Sequence, residues 1–211
     1  MGRLERDITE GLLEWLRRRN DCQLDPGLTQ DELDHAQRVL GLTVPPQWRA
    51  VLRQAHPVMK RGAGVRYPDW RSPEDPATRA LVAAPVEGVL FDVAENGFWW
   101  YGWGPVPDTA ERRLELARDR LAALPRLTPL MGHCYVADSD DSPVFSIVQG
   151  DLYVPALTLA DLPAGRGQDG ISEDEYPIGS VPFWSELHAY SQLGHSERGQ
   201  ARFGMLARGG A

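Results

Sequence analysis

Residues 165–170 and the residues around them decide whether this chain binds a nucleotide cofactor. The segment reads GRGQDG and matches the Gly-x-Gly-x-x-Gly fingerprint of dinucleotide-binding sites. That fingerprint needs a buried strand before it and a helix N-terminus after it, where the pyrophosphate binds. Here Leu-Pro-Ala precedes it and Ile-Ser-Glu-Asp-Glu follows, so three acidic side chains would repel a diphosphate. We therefore expect no nucleotide cofactor.

A second pattern, Asp138-Ser139-Asp140, begins like a calcium-binding loop. Position six of that loop requires glycine but is Pro143, and position twelve requires a bidentate glutamate but is Gln149. These two differences exclude an EF-hand and leave only an incidental divalent ion on an exposed acidic loop.

The histidines and cysteines have no spacing that is typical of a metal or nucleophile site. His133 is adjacent to Cys134, but neighbouring residues of a strand point to opposite faces and cannot form a dyad. There is no Gly-x-Ser-x-Gly and no phosphate-binding Gly-Lys-Ser/Thr loop. Asp92 and Glu95 could pair as acid and base, although ordinary turn chemistry explains them as well. We expect no catalytic residue and no metal site.

Charge and cysteine usage limit the partners. The chain has 211 residues and a formal net charge of −8, which repels nucleic-acid phosphates and anionic membranes and favours a basic partner. Cys22 and Cys134 are far apart and outside any Cys-x-x-Cys spacing, which is typical of a reduced compartment. The sequence also lacks a signal-peptide pattern and any run of 18 apolar residues. We therefore predict one cytoplasmic domain over residues 1–211, with no contact to nucleic acid or membrane.

The first quarter of the chain has the patterns of amphipathic helices. Apolar residues at spacings of three and four predict a helix over residues 4–19. Thr29 and Glu32 form a capping box that begins a second helix, and Gly41 ends it in a left-handed conformation. Pro46 fits the first turn of a third helix.

The next segment predicts a change from helix to strand. Residues 56–67 are predicted as a loop, and Ser72 as the N-cap of a helix that extends to residue 82. Residues 85–93 are rich in β-favouring side chains, and Asn96-Gly97 is a strong hairpin signal. We therefore predict a hairpin whose second strand covers residues 98–101.

Residues after 107 predict one long helix and a series of strands. Asp108 and Glu111 form a second capping box for a helix that Pro125 ends. The later segments are strands at 133–137, 143–148 and 152–157, a long connection at 162–180, a helix at 182–190 and a mobile tail after 194. Pro155 marks an edge strand or a strand end. The fold class predicted is α+β: an antiparallel sheet of about five or six strands with helices packed on part of it.

Aromatic residues are concentrated in residues 95–104, which read ENGFWWYGWG. Phe91, Phe98 and Trp100 are expected in the core. For Trp70 and Trp103 the sequence leaves two alternatives, because a large indole ring fits a core and a protein interface equally well.

Four segments resemble one family. LTQDELDHAQRVLGLTVPPQWRAVLRQ resembles the opening helix pair of the SUKH superfamily. YPDWR, GVLFDVAENGFWWYGWGPVPD and SPVFSIVQGDL resemble the corresponding blocks of a bacterial branch that is similar to the yeast cell-wall assembly regulators. The resemblance covers residues 28–162. It departs at Cys134, where that branch usually has arginine, and at residues 150–155.

The resemblance implies an α+β fold and, in bacteria, frequent service as immunity proteins that bind and neutralise polymorphic toxins, many of them nucleases. We therefore expect a non-catalytic protein-binding module whose acidic surface matches a basic toxin domain. A regulatory or scaffold role is the alternative, and an enzyme of unrecognised type is a third hypothesis. The expected partner contacts are Tyr67, Asp69, Trp70, Arg71, Trp103, Asp138, Asp140 and Asp141.

Overall fold

The fold consists of helices and two antiparallel sheets, seen in a computed structural model that describes residues 3–167 and 181–193. The helices are α1 (Arg3–Arg18), α2 (Gln30–Leu40), α3 (Pro46–Gln54), α4 (Pro76–Glu95), α5 (Ala110–Ala122) and α6 (Trp184–Leu193), with 3₁₀ turns at Tyr101–Trp103 and Leu159–Ala164. The strands are β1 (Cys22–Pro26), β2 (Ala55–Met59), β3 (Thr128–Met131), β4 (Cys134–Val136), β5 (Val144–Val148) and β6 (Asp151–Ala156).

The strands form two separate sheets. β1 pairs with β2, and β3 to β6 form a four-stranded meander in chain order. The predicted α+β class and antiparallel pairing are confirmed, but the single sheet of five or six strands is wrong. Pro155 lies in β6 at one edge of the meander, as predicted, because an edge strand tolerates the missing N–H.

The core consists of two hydrophobic clusters on opposite faces of the meander. Cys134 packs against the first cluster and Val136 belongs to it, whereas Tyr135 and Ala137 belong to the second. This alternation follows from the two-residue period of a strand. We name the first, which includes buried side chains of α1, α2 and α3, the N-terminal cluster. The second, which includes Trp100, Trp103, Phe183 and Trp184, is the aromatic cluster.

The predicted boundaries of the first helices are confirmed. The Thr29 side chain accepts a hydrogen bond from the Glu32 N–H, and the Glu32 carboxylate accepts one from the Thr29 N–H. Gly41 has a φ of 64°, and its N–H bonds to the Gln37 carbonyl. Pro46 is the first residue of α3. These ends are local in sequence, so local patterns suffice to place them.

The predicted hairpin over residues 85–101 is wrong. Residues 85–95 continue α4, whose buried positions include Val82, Val89, Leu90 and Val93, at spacings that fit a helix. Burial against the sheet and α5 therefore overrides the β-favouring composition. Phe91, expected in the core, is 47% exposed, because it lies on another side of the helix.

Asn96 and Gly97 end a helix instead of turning a hairpin. Asn96 is the C-terminal cap of α4, and Gly97 has a φ of 70°. The Phe98 N–H bonds back to the Asp92 carbonyl. Both structures need a left-handed residue, so the dipeptide by itself does not distinguish them.

Other boundaries differ by smaller amounts. Asp75 rather than Ser72 caps α4, and Thr109 rather than Asp108 caps α5. The first residues of the predicted loop at 56–67 belong instead to strand β2 (Ala55–Met59). The predicted tail after 194 and most of the predicted connection at 162–180 lie outside the described residues.

Candidate functional site

Tyr67 lies in a polar network at the edge of the N-terminal cluster. Its hydroxyl donates to Asp21 Oδ1 at 3.0 Å and accepts from Arg19 Nε at 3.0 Å. The Arg19 guanidinium also contacts both Asp21 carboxylate oxygens, at 2.9 and 2.5 Å, and lies 4.9 Å from the Trp15 ring centroid. The network joins the end of α1 to the segment before α4.

Asp21 and Tyr67 have the protonation states that the hydrogen bonds of this network require. Burial would raise the pKa of Asp21, but the hydrogen bonds from Arg19 and Tyr67 outweigh it and lower that pKa. Burial raises the pKa of Tyr67, so the phenol remains protonated and able to donate. Tyr67 is half-buried, and contacts within the chain occupy its hydroxyl.

Arg71 is held by a second network. One guanidinium nitrogen donates to His56 Nδ1 at 2.8 Å, and another donates to the Pro26 carbonyl at 2.6 Å. Its Nε lies 3.3 Å from the Glu32 carboxylate. Burial, together with the Arg71 charge, lowers the pKa of His56 and favours the neutral ring that this contact requires. Asp69 Oδ1 accepts from the Arg71 N–H.

Trp70 and Trp103, two of the expected contacts, are core residues. Trp70 is 1% exposed and belongs to the N-terminal cluster, whereas Trp103 is 6% exposed and stacks on Phe183 with ring centroids 5.9 Å apart. Their rings therefore offer almost no area to a partner, and the core alternative of the sequence analysis is the correct one.

The acidic loop, residues 138–141, is held in place by one of its own carboxylates. Asp140 Oδ1 accepts from the Gln47 N–H at 2.9 Å. Gln47 is in the first turn of α3, where the N-cap residue, Pro45, offers no side-chain acceptor. Asp140 thus supplies the missing cap from 93 positions away, and its charge suits the positive end of the helix dipole. Asp138 and Asp141 remain exposed beside it.

The eight expected contacts therefore do not form one surface. Residues 67–71 lie against β1, β2 and the end of α1, and Trp103 lies in the aromatic cluster. Of the eight, Asp138 and Asp141 are exposed and form no ion pair in the described part of the chain.

Glycines of the dinucleotide-like pattern have structural roles. Gly165 ends a 3₁₀ turn with a φ of 61°. A Cβ at Gly167 would lie 2.3 Å from the Val154 carbonyl oxygen, so only glycine allows the chain to pass this close to the edge of β6. The last glycine of the pattern, at 170, is outside the described residues.

A cleft of about 370 Å³ lies between α2, α4 and α5, and sequence patterns did not predict it. Apolar side chains form most of its wall, among them Leu40, Val82, Val86, Leu90, Leu121 and Leu124. Within the described part of the chain, three arginines, Arg79, Arg118 and Arg126, line it with a single acid, Glu87. The cleft combines helices that are distant in sequence, so no local motif could reveal it.

Within residues 3–167 and 181–193, no group of three or more histidine, cysteine or acidic side chains has a geometry that could hold a metal ion. No helix of the same residues has both the length and the apolar character needed to cross a membrane.

Comparison of the chain with protein-family models, with curated proteins and with solved structures found no match in any of the three. The resemblance to the SUKH superfamily therefore stays a prediction.

Proposed function

We propose that the protein is a non-catalytic binding module, and specifically an immunity protein that neutralises a basic toxin domain such as a nuclease. The observation that carries the proposal is the acidic loop. The Asp140 side chain bonds the loop to the first turn of α3, while Asp138 and Asp141 stay exposed.

The loop has further internal support. The Ala137 N–H donates to the Ser142 hydroxyl at 2.9 Å, and the Asp141 N–H donates to the Ser139 hydroxyl at 3.3 Å. A loop ordered before binding loses little conformational entropy on association, so more of its interaction energy contributes to affinity.

Charge favours a basic partner. The chain carries a net charge of −8, and complementary fields accelerate association between proteins. Carboxylates that occupy the phosphate-binding groove of a nuclease would also exclude its substrate. The resemblance stated above points to the same class of partner.

The experiment compares partners recovered from the native host with two charge-matched variants. Asp138→Asn/Asp141→Asn removes the two exposed charges of the loop, and Glu111→Gln/Asp119→Asn removes two exposed charges of α5. We expect the wild type and the α5 variant to recover the same basic protein, and the loop variant to recover at least about fivefold less, as the loss of roughly 1 kcal/mol would produce.

The recovered protein must also have the activity of a toxin. Equal recovery by all three chains, or a partner that is acidic or harmless when expressed alone, would contradict the proposal.

A further inference from the structure

The cleft between α2, α4 and α5 has the composition of a ligand site. Its volume of about 370 Å³ is within the range of small-molecule pockets, roughly 300–1,000 Å³. A mostly apolar wall with a few polar groups is typical of such pockets, because the wall supplies affinity and the polar groups supply orientation.

The charge of the cleft is opposite to that of the whole chain. Among the described residues, Arg79, Arg118 and Arg126 line it with one acid, Glu87, although the chain as a whole carries −8. Arg126 donates to the Leu40 carbonyl at 2.8 Å, which anchors it between α2 and α5. Arg79 and Arg118 are exposed, and their guanidinium groups form no hydrogen bond or ion pair within the described residues.

A buried indole forms part of the cleft wall. Trp184 lines the cleft and is 1% exposed, and its indole N–H has no hydrogen-bond partner among the described residues. The nitrogen itself is buried, so a molecule in the cleft contacts the ring and not the N–H. Trp48 also has an unpaired indole N–H, but it does not line the cleft.

We propose that this cleft binds a small carboxylate with an apolar body. The body contacts the apolar wall, and the carboxylate meets the arginines. This inference does not depend on the proposed toxin partner, because the acidic loop does not line the cleft.

Three probes with the same eight-carbon chain test the proposal: octanoate, 1-octanol and octylammonium. Titration calorimetry is expected to show octanoate binding about tenfold or more tightly than either of the others. In ¹H–¹⁵N spectra the indole signal of Trp184, assigned with Trp184→Phe, is expected to shift on addition of octanoate.

Matched variants locate the site. Arg118→Gln is expected to weaken octanoate binding by about three- to fivefold, the range for a partly exposed ion pair. Arg120→Gln, two residues away on α5 and outside the cleft, is expected to leave it unchanged. Ala122→Phe places a ring in the cleft from an exposed position and is expected to abolish binding without loss of helix content.

Equal affinities for octanoate and octylammonium would overturn the proposal, as would the absence of octanoate binding at millimolar concentration. Equal effects of Arg118→Gln and Arg120→Gln would overturn it as well.

Discussion

The N-terminal cluster and the aromatic cluster use different contacts to join segments that are distant in sequence. At the margin of the first, Arg19 bonds to Tyr67 and Arg71 bonds to His56, so directional polar contacts fix the loop before α4. In the second, Trp103 and Phe183 stack with their ring planes 7° apart. Stability of the first region therefore depends on hydrogen-bonding groups at particular positions, whereas stability of the second depends on the volume of the packed rings.

Removal of a ring from the aromatic cluster should have the largest effect on stability. Trp103→Ala removes a buried ring that also meets Phe98 and Trp99 edge to face. We expect a loss of about 3–5 kcal/mol in the free energy of unfolding, measured by urea denaturation. Phe91→Ala, at a 47% exposed position of α4, is the control and should change it by less than about 0.5 kcal/mol. The reverse order would mean that residues 85–103 do not pack as described.

Acidification should affect both regions through buried histidines. Burial lowers the pKa of His188 to about 4 and also lowers that of His56. Because the unfolded chain then binds more protons, stability is complete above pH 6.5 and falls as pH decreases toward the folded pKa. Between pH 7 and pH 5, His188 should account for about 2 kcal/mol of lost stability.

The control for the pH effect is His188→Gln. Its free energy of unfolding should vary less between pH 7 and pH 5 than that of the wild type. A profile as steep as that of the wild type would show that His188 does not titrate as its burial requires.

Two helical glycines should respond to alanine with opposite signs. A Cβ at Gly88 of α4 would lie 2.7 Å from Gln149 Cα, in the turn between β5 and β6. Gly88→Ala should therefore destabilise the protein by about 1–3 kcal/mol despite its gain in helix propensity. Gly11→Ala in α1 meets nothing within 4 Å and should stabilise it by about 0.5–1 kcal/mol. Thermal denaturation of the two variants checks both signs, and stabilisation by Gly88→Ala would contradict the packing of α4 on this turn.

The aspartates of the acidic loop should differ in how much they contribute to stability. Asp140→Ala removes the acceptor at the N-terminus of α3 and should cost about 1 kcal/mol. Asp138→Asn and Asp141→Asn should each change stability by less than about 0.5 kcal/mol, because both side chains are exposed. Urea denaturation of the three variants measures the free energy of unfolding. An equal loss at all three positions would contradict the capping role of Asp140.

Local signals in the sequence were sufficient for parts of the fold. The capping box at Thr29 and the left-handed end at Gly41 depend on residues within a few positions of one another. Such features are readable because their partners are adjacent in the chain.

Features that depend on distant partners were not readable. Asp92 accepts from the Gly150 N–H, and Asp140 caps α3, although neither pair is close in sequence. The composition of residues 85–95 favoured a strand, but packing against the sheet and α5 stabilises these residues as part of helix α4. The burial of Trp70 and Trp103 has the same origin, because an indole ring does not indicate whether a neighbouring element covers it.

Neutralisation of a toxin by this chain can be measured as the growth of a heterologous host that expresses the recovered basic partner. Expression of the partner alone should stop growth, co-expression of the wild-type chain should restore it, and the Asp138→Asn/Asp141→Asn variant, folded as well as the wild type, should restore it much less. Full restoration by that variant, or no restoration by the wild-type chain, would contradict the account.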